Sequence, residues 1–297
     1  MQEIKKINQI DKIIIGTAQL GLNYGINNKN GTPTEQEAFA ILDFAYNSGI
    51  TTLDTAKAYG SALNTIGNYH KVRPHKFNLI SKFHTFQSPL YTVSTSDMLL
   101  AGVSQFECFL YHSFDDFEHA NKTTIDILKK MKSESIIKHI GVSIYSNVQF
   151  KKAIDCEYIN VIQFPYNLLD NNYQRGMLIN EAKKANKKIH ARSVFLQGLL
   201  FKDRNTLPIQ LKPLLPYLLR LDKLCADNNQ NLKQLALAYA LYNKHIDNVI
   251  IGVDNLVQLM INFKHIQNLS KIPENVLTCI ESIHVLEQEL LYPFNWK

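Results

Sequence analysis

Short apolar runs alternate with longer amphipathic stretches along the 297 residues of this sequence. The apolar runs are β-prone and end at small, polar or ionisable residues, which predicts buried strands. The amphipathic stretches repeat apolar residues three or four positions apart, which predicts helices with one buried face. Eight strands are predicted, at residues 13–18, 51–54, 77–82, 106–112, 140–144, 161–164, 188–194 and 248–252.

A helix is predicted after each strand. Thr34 and Glu37 form a capping box, and the helix that they begin should bury Phe39, Leu42 and Tyr46 before it ends at Gly49. The other helices are predicted near residues 65–73, 96–102, 121–135, 147–155, 175–186, 217–227, 232–244 and 256–265, with a terminal helix at 273–290.

This alternation predicts an α/β protein of the (β/α)8 TIM-barrel class. Each strand and its helix occupy roughly thirty residues, and no linker or low-complexity segment divides them, so a single domain over residues 1–297 is expected. The alternative is a doubly wound open sheet that binds a dinucleotide on a G-x-G-x-x-G turn. The glycines after the first strand, at Gly16, Gly21, Gly25 and Gly31, do not have that spacing.

Composition narrows the function classes. The net charge is +6, but the lysines are scattered, which argues against a nucleic-acid groove and is compatible with an anionic cofactor or substrate. The four cysteines are far apart and form no CxxC pair, as in a reducing compartment. Neither a signal-peptide core nor an apolar run of ~20 residues is present, so a cytoplasmic protein without membrane association is expected.

Candidate catalytic residues lie at or just after the ends of three successive strands. Asp54 ends the second strand and Tyr59 follows one loop later, Lys82 ends the third strand, and His112 ends the fourth. Alone, each residue would more often cap, pack or face solvent than react. In a parallel barrel, however, all four side chains meet at one rim, which we interpret as the active site.

These four residue types suit proton transfer to a carbonyl. Tyrosine has a pKa of about 10, so a nearby ammonium such as Lys82 is needed to stabilise its phenolate. Asp54 would hold Lys82 charged, and His112 would hydrogen-bond the substrate carbonyl. Tyr59 could then donate a proton as a hydride reaches the carbonyl carbon. Because side chains do not supply hydride, a reduced nicotinamide is implied.

At this point the sequence resembles the aldo-keto reductases. The resemblance covers almost the whole chain, and it is carried by the ordered segments 16–18, 53–60, 81–82, 111–112, 140–143, 161–167 and 249–262. It implies a (β/α)8 barrel, a tetrad of Asp54, Tyr59, Lys82 and His112, and NADPH, or NADH, bound without a Rossmann domain. The cofactor contacts that it implies are Gly16, Thr17, Ala18, Ser143, Gln163, Arg192, Ser193, Gly252, Gln258 and Asn262.

Four positions in three segments depart from the family pattern. Ile144 stands where Asn often follows Ser143, and Ala62–Leu63 replaces the usual Ser-Glu after the tyrosine loop. Arg192 stands where an aromatic residue commonly stacks on the nicotinamide, and its guanidinium could stack in the same way or contact phosphate. Near the adenosine, Asp254 would repel a 2′-phosphate unless it points away as a helix cap; family habit favours NADPH.

Loops expected at the rim suggest the shape of the substrate mouth. Tyr24, Phe83, Phe86 and Tyr91 are candidates for its wall, and ordinary loop packing is the alternative for each. The tail at residues 292–297, with the only tryptophan of the chain, is expected over either the mouth or the base of the barrel. Histidines at positions 70, 75 and 84 lack metal-ligand spacing, so no metal site is expected.

The sequence therefore predicts an NAD(P)H-dependent oxidoreductase that reduces an aldehyde or ketone of a small polar metabolite, such as a sugar derivative. One alternative is a nucleotide-binding regulatory or scaffold protein with little turnover, as in channel-associated relatives of the family. A remoter alternative is a lyase or isomerase that uses Lys82 as a Schiff-base amine. The oligomeric state is left open.

Overall fold

The computed structural model describes residues 9–85 and 89–296. Within them, eight parallel strands pair in sequence order, and the first pairs with the last, which closes a barrel. The strands are β1 (Ile13–Gly16), β2 (Thr52–Asp54), β3 (Asn78–Phe83), β4 (Phe106–Tyr111), β5 (Ile137–Ser143), β6 (Val161–Pro165), β7 (Lys188–Arg192) and β8 (Asn248–Gly252). The predicted TIM barrel is confirmed, and the doubly wound open sheet is excluded by the pairing of β1 with β8.

Helices cover the outside of the barrel. Those of the described residues are α1 (Ala18–Gly21), α2 (Glu35–Asn47), α3 (Ala62–Val72), α4 (Leu90–Ala101), α5 (Phe114–Glu118), α6 (Lys122–Ser133), α7 (Asn147–Asp155), α8 (Asn172–Lys184), α9 (Leu215–Asp227), α10 (Leu232–Leu241), α11 (Leu256–Gln267) and α12 (Glu274–Glu281). None of these helices is long and apolar enough to cross a membrane. Two short helices, α1 and α5, were not predicted.

Successive side chains of each strand point alternately into the barrel and outward, so the hydrophobic core has two parts, one inside the barrel and one between the strands and the helices. Ile14 points into the barrel, whereas Ile13 and Ile15 point outward against the helices. The interior cluster consists of Ile14, Ile80, Cys108, Leu110, Val161 and Ile250. This apolar filling blocks the lower barrel, so polar side chains at the carboxyl ends of the strands face one open rim.

The end of the chain differs most from the prediction. Helix α12 ends at Glu281, and the predicted helix to residue 290 is wrong. Asn171, buried after β6, donates from its side-chain amide to the carbonyl oxygens of Ile280 and Ile283, both at 2.9 Å. Because the carbonyl of Ile283 is bound to this side chain, the chain turns there. Short 3₁₀ segments then form at Gln288–Leu291 and Pro293–Asn295.

Candidate active site

A cavity of about 1050 Å³ lies at the rim where the strands end. All four candidate catalytic side chains line it, as Asp54, Tyr59, Lys82 and His112. Nine of the ten predicted cofactor contacts also line it, namely Gly16, Ala18, Ser143, Gln163, Arg192, Ser193, Gly252, Gln258 and Asn262. Thr17 lies beneath this lining, where its backbone and side chain both donate to the backbone oxygen of Asp54.

Asp54 and Lys82 form a buried ion pair at the bottom of the cavity. The Lys82 ammonium donates to one carboxylate oxygen of Asp54 and, at 3.3 Å, to the backbone oxygen of Thr55. The second carboxylate oxygen accepts from the Gln163 amide at 2.8 Å. Burial alone would lower the pKa of Lys82, but the Asp54 carboxylate outweighs it, and the pKa is raised. Lys82 is therefore a fixed positive charge.

Tyr59 lies above this ion pair. The Lys82 ammonium is 5.0 Å from the centroid of the Tyr59 ring. Two glycines let the tyrosine loop approach α1: a Cβ on Gly21 would lie 1.9 Å from the Tyr59 backbone oxygen, and Gly60 adopts a φ of +57°. Burial raises the pKa of Tyr59, and the positive charge of Lys82 opposes this rise. The expected effect of Lys82 is present, but burial outweighs it, so the phenol is protonated.

His112 completes the group. Its ring meets the Tyr59 ring edge to face, with 5.9 Å between centroids. Burial lowers the pKa of His112 to about 3, and the charge of Lys82 adds to this effect, so the imidazole is neutral. On its other side it stacks at 4.7 Å on His84, whose Nδ1 is 2.7 Å from Asp116. The sequence did not reveal this supporting pair, because the contacts of His84 with His112 and Asp116 depend on loop paths that spacing along the chain does not encode.

Two orphaned acceptors fit a nicotinamide dinucleotide. The side-chain oxygens of Gln163 and Asn262 are buried and have no hydrogen-bond partner among the residues of the structure's described ranges. Gln163 is next to the candidate catalytic group and Asn262 lies on α11 after β8, so they suit the carboxamide and adenine amino groups. Gly252 precedes α11 and packs closely against Gln19. A Cβ at position 252 would lie 2.5 Å from the side-chain amide nitrogen of Gln19, so a larger residue would displace that side chain.

Asp254 does not cap α11. The N-cap is Asn255, whose side chain accepts from the Gln258 backbone nitrogen at 2.9 Å. Asp254 lines the cavity, and its carboxylate accepts from the Gln258 side chain at 3.0 Å. The Gln258 side-chain oxygen accepts from the Asp254 backbone at 3.0 Å. The cavity wall beside Gly252 is therefore acidic.

The guanidinium of Arg192 stacks on the ring of Tyr145, a residue that was not predicted to line the site. Its guanidinium carbon lies 4.1 Å from the centroid of the Tyr145 ring. The guanidinium also donates to the backbone oxygen of Ile144 at 3.0 Å and to the Ser193 hydroxyl at 3.3 Å. Tyr145 lies two residues beyond the end of β5, and this position after a strand was the one available signal for it.

Two loops and the tail surround the mouth. The loop after β1 meets the loop after β7, because Ile26 donates to the backbone oxygen of Gln197 at 3.1 Å and Gln197 donates to the Tyr24 hydroxyl at 2.7 Å. Phe294 and Trp296 of the tail line the cavity, so the tail covers the mouth and not the base.

The remaining candidates for the mouth lie elsewhere. Phe83 is buried in the barrel wall, where its ring packs 4.5 Å from that of Phe109. Tyr91 lies on the outer helix α4 and donates to Glu134 at 3.2 Å. Phe86 lies outside the described residues. Of the four aromatic residues, Tyr24 is the one that the structure places at the cavity.

The three histidines considered for metal binding make structural contacts. Nδ1 of His70 is 2.8 Å from the backbone oxygen of Ala101, Nε2 of His75 is 2.7 Å from the Tyr69 hydroxyl, and His84 pairs with Asp116. Over residues 9–85 and 89–296, His, Cys, Asp and Glu side chains form no group of three that could hold a metal ion.

Comparison with known proteins relates this geometry to a family. The model of the aldo/keto reductase family matches residues 12–284. Probable aldo-keto reductase 1 of Glycine max is 26% identical over a match of 182 residues, and the match covers 54% of this chain and 52% of that protein. The chain therefore spans about half the length of this curated relative.

Two solved structures share the fold. Aldo-keto reductase AKR11C1 from Bacillus halodurans, in its holo form, superposes with a TM-score of 0.74 at 19% identity and covers 94% of this chain and 95% of its own. Glycerol dehydrogenase AKR11B4 from Gluconobacter oxydans gives a TM-score of 0.71 at 16% identity, and the match covers 92% of this chain and 90% of the Gluconobacter chain. The family model spans nearly the whole barrel, and the protein therefore belongs to the aldo/keto reductase family of oxidoreductases.

Proposed function

We propose that this protein reduces an aldehyde or ketone of a small polar metabolite, with NAD(P)H as hydride donor and Tyr59 as proton donor. The observation that carries this proposal is the arrangement of one buried ion pair, one neutral phenol and one neutral imidazole in one cavity. Asp54 and Lys82 supply the ion pair, and Tyr59 and His112 supply the other two groups.

The chemistry follows from these charge states. A bound reduced nicotinamide supplies the hydride. As negative charge develops on the carbonyl oxygen, Tyr59 gives up its O–H proton to that oxygen, and the Lys82 ammonium stabilises the phenolate that remains. Asp54 keeps Lys82 charged and in place. Neutral His112 donates a hydrogen bond to the same oxygen and so orients the carbonyl.

Cofactor binding rests on the residues at the two ends of the cavity. The free oxygens of Gln163 and Asn262 would accept from the carboxamide and adenine amino groups, and the turn at Gly252 would bring backbone close to the nucleotide. The family resemblance favours NADPH. The Asp254 carboxylate favours NADH, because it would repel the 2′-phosphate of NADPH. Both NADPH and NADH therefore belong in the first binding measurement.

Tyr59→Phe tests the proton donor. The variant keeps the ring and its packing but removes the O–H, so we expect nucleotide binding to be retained and kcat to fall by about a hundredfold or more. Calorimetric titration with each nucleotide measures binding, and the decay of nicotinamide absorbance with a panel of aldehydes and sugar ketones measures turnover. Tyr91→Phe, on the outer face of α4, is the matched control. Full turnover by Tyr59→Phe would remove Tyr59 from this role.

A regulatory or scaffold protein is the second candidate. It is favoured by the departures at Ile144 and Arg192, which alter the expected surroundings of the nicotinamide. Tight nucleotide binding without turnover of any carbonyl in the panel would support it.

The Schiff-base alternative fits the structure less well. The raised pKa of Lys82, which results from its pairing with Asp54, keeps its amine protonated and non-nucleophilic. Trapping of a substrate on Lys82 by borohydride would be the result that restores this alternative.

A further inference from the structure

Arg192 differs from the other arginines in how its charge is balanced. Of the five arginines in the chain, three form ion pairs with aspartates, as Arg73–Asp43, Arg175–Asp170 and Arg204–Asp222. Arg220 lies on the outer surface and bonds Ser282. Arg192 lines the cavity and has no carboxylate within ion-pair distance in the described part of the chain. An anion that enters the cavity therefore meets a guanidinium with unused charge.

The guanidinium of Arg192 is held in place before any ligand arrives. It is clamped between the Tyr145 ring and the Ile144 backbone oxygen, and its Nε is buried without a hydrogen-bond partner among the described residues. Tyr145 is itself fixed, because Arg175 donates to its backbone oxygen and the Phe294 ring packs on its ring at 4.8 Å. Such preorganisation reduces the entropy lost when a ligand binds.

The Arg192 side chain points away from the Gly252 turn that we propose for the nucleotide. From the end of β7 it reaches across β6 to the loop after β5, away from β8 and from the turn at Gly252. At this place it is close enough to the catalytic group for its charge to oppose the rise that burial causes in the pKa of Tyr59, and to add to the fall that burial causes in the pKa of His112. Its charge therefore acts where the carbonyl is reduced.

We propose that Arg192 binds an anionic group of the substrate, so that this enzyme selects small carbonyl compounds that carry a carboxylate or phosphate near the carbonyl. The inference rests on the proposed reductase function and names the substrate class of the same site. Arginine suits it because a guanidinium binds carboxylate and phosphate through paired N–H donors. Tyr145 keeps the planar group oriented.

Matched substrates test the charge preference. We expect kcat/KM for 4-carboxybenzaldehyde to exceed that for the isosteric neutral 4-formylbenzamide by about tenfold or more. Glyceraldehyde 3-phosphate against glyceraldehyde gives the same comparison for phosphate, and the larger of the two ratios identifies the preferred anion. In Arg192→Gln the preference should disappear, chiefly through KM, while the Kd for the nucleotide changes less than about threefold.

Lys233→Gln is the matched control. Lys233 also lines the cavity and lacks a carboxylate partner among the residues described, but it lies at the start of α10, so its removal takes the same charge from another wall. We expect this variant to keep the anion preference. Equal loss in both variants, or an Arg192→Gln protein with weaker nucleotide binding and an unchanged substrate ratio, would overturn the proposal.

A binding measurement keeps the two proposals separate. Calorimetry of nucleotide-saturated protein with benzoate and with benzamide does not depend on turnover. Tighter binding of benzoate that is lost in Arg192→Gln supports the anion site even if no carbonyl is reduced, in which case the reductase function alone fails. Equal binding of benzoate and benzamide by the unaltered protein would overturn the anion site, whatever the catalytic result.

Discussion

Burial and neighbouring charges together set the charge states of Lys82, Tyr59 and His112 at the candidate site. Lys82 is buried yet charged because Asp54 is beside it, whereas Tyr59 and His112 are neutral because burial disfavours their ions. A neutral acid beside a fixed cation is the arrangement that proton donation requires, because the cation stabilises the product phenolate more than the reactant phenol. A charged side chain elsewhere in the cavity that has no partner of opposite charge should likewise affect which ligand binds beside it.

Asp254 is such a charge, and it should influence nucleotide choice. Asp254→Asn removes a negative charge from the wall beside Gly252, so we expect the affinity for NADPH to rise by about threefold to tenfold relative to that for NADH. Calorimetric Kd values for both nucleotides measure the ratio. Asp126→Asn, on the exposed face of α6, is the control for net charge. An unchanged ratio in Asp254→Asn would mean that no phosphate binds near this wall.

At the residue scale, the sequence was informative wherever position in the barrel determined which side chains line the cavity. Asp54, Lys82 and His112 come at or next to strand ends, and parallel strands bring their ends together. Tyr145 and His84 were missed because their contacts, a guanidinium and a second imidazole, depend on rotamers and loop paths. Neither is encoded in spacing along the chain.

At the element scale, one buried ion pair joins neighbouring loops at the rim. Arg175 on α8 binds Asp170 through two nitrogens and also donates to Asn147 and to the Tyr145 backbone. It thereby connects the loops after β5 and β6. Because Arg175 holds the Tyr145 backbone, it also positions the Tyr145 ring, on which Arg192 and Phe294 of the tail pack.

Asp170→Asn should therefore be costly. It leaves the buried Arg175 charge unpaired, and we expect the free energy of unfolding to fall by about 3–5 kcal/mol. Denaturant unfolding measures this loss. Asp155→Asn is the matched control, since it breaks an exposed pair with Lys151 and should cost less than about 1 kcal/mol. Equal losses in the two variants would contradict a special role for the buried pair.

Element boundaries were predictable only where the chain itself sets them. The capping box of Thr34 and Glu37 begins α2 as predicted, because both hydrogen bonds are local. The end of α12 is set by Asn171, which is more than a hundred residues earlier in the chain. A contact of that sequence separation leaves no periodic signal, so the terminal helix was predicted too long.

At the scale of the whole molecule, the barrel buries neutral histidines that make it sensitive to acid. The pKa of His190 on β7 is lowered to about 4 by burial, and that of His112 is lowered to about 3. In the unfolded chain each would titrate at about 6.5. As the pH falls below that value, the unfolded state binds protons that the folded state does not, and stability declines toward the folded pKa.

His190→Gln should weaken this acid sensitivity. Each such histidine contributes a slope of up to about 1.4 kcal/mol per pH unit, so the variant should lose less stability than the unaltered protein between roughly pH 6 and pH 4.5. Denaturant unfolding at several pH values gives the two slopes. His119→Gln, at an exposed position after α5, is the control for replacing a histidine by glutamine. Parallel curves for His190→Gln and the unaltered protein would show that His190 is not the source.

The position of the tail has an optical consequence. Trp296 is the sole tryptophan of the chain, and it lines the cavity with its indole N–H bound to the Leu290 backbone oxygen at 2.8 Å. All indole emission therefore originates beside the place where a nucleotide would bind. A reduced nicotinamide absorbs in the range where indole emits, so energy transfer from this single emitter would report binding of the proposed cofactor without a label.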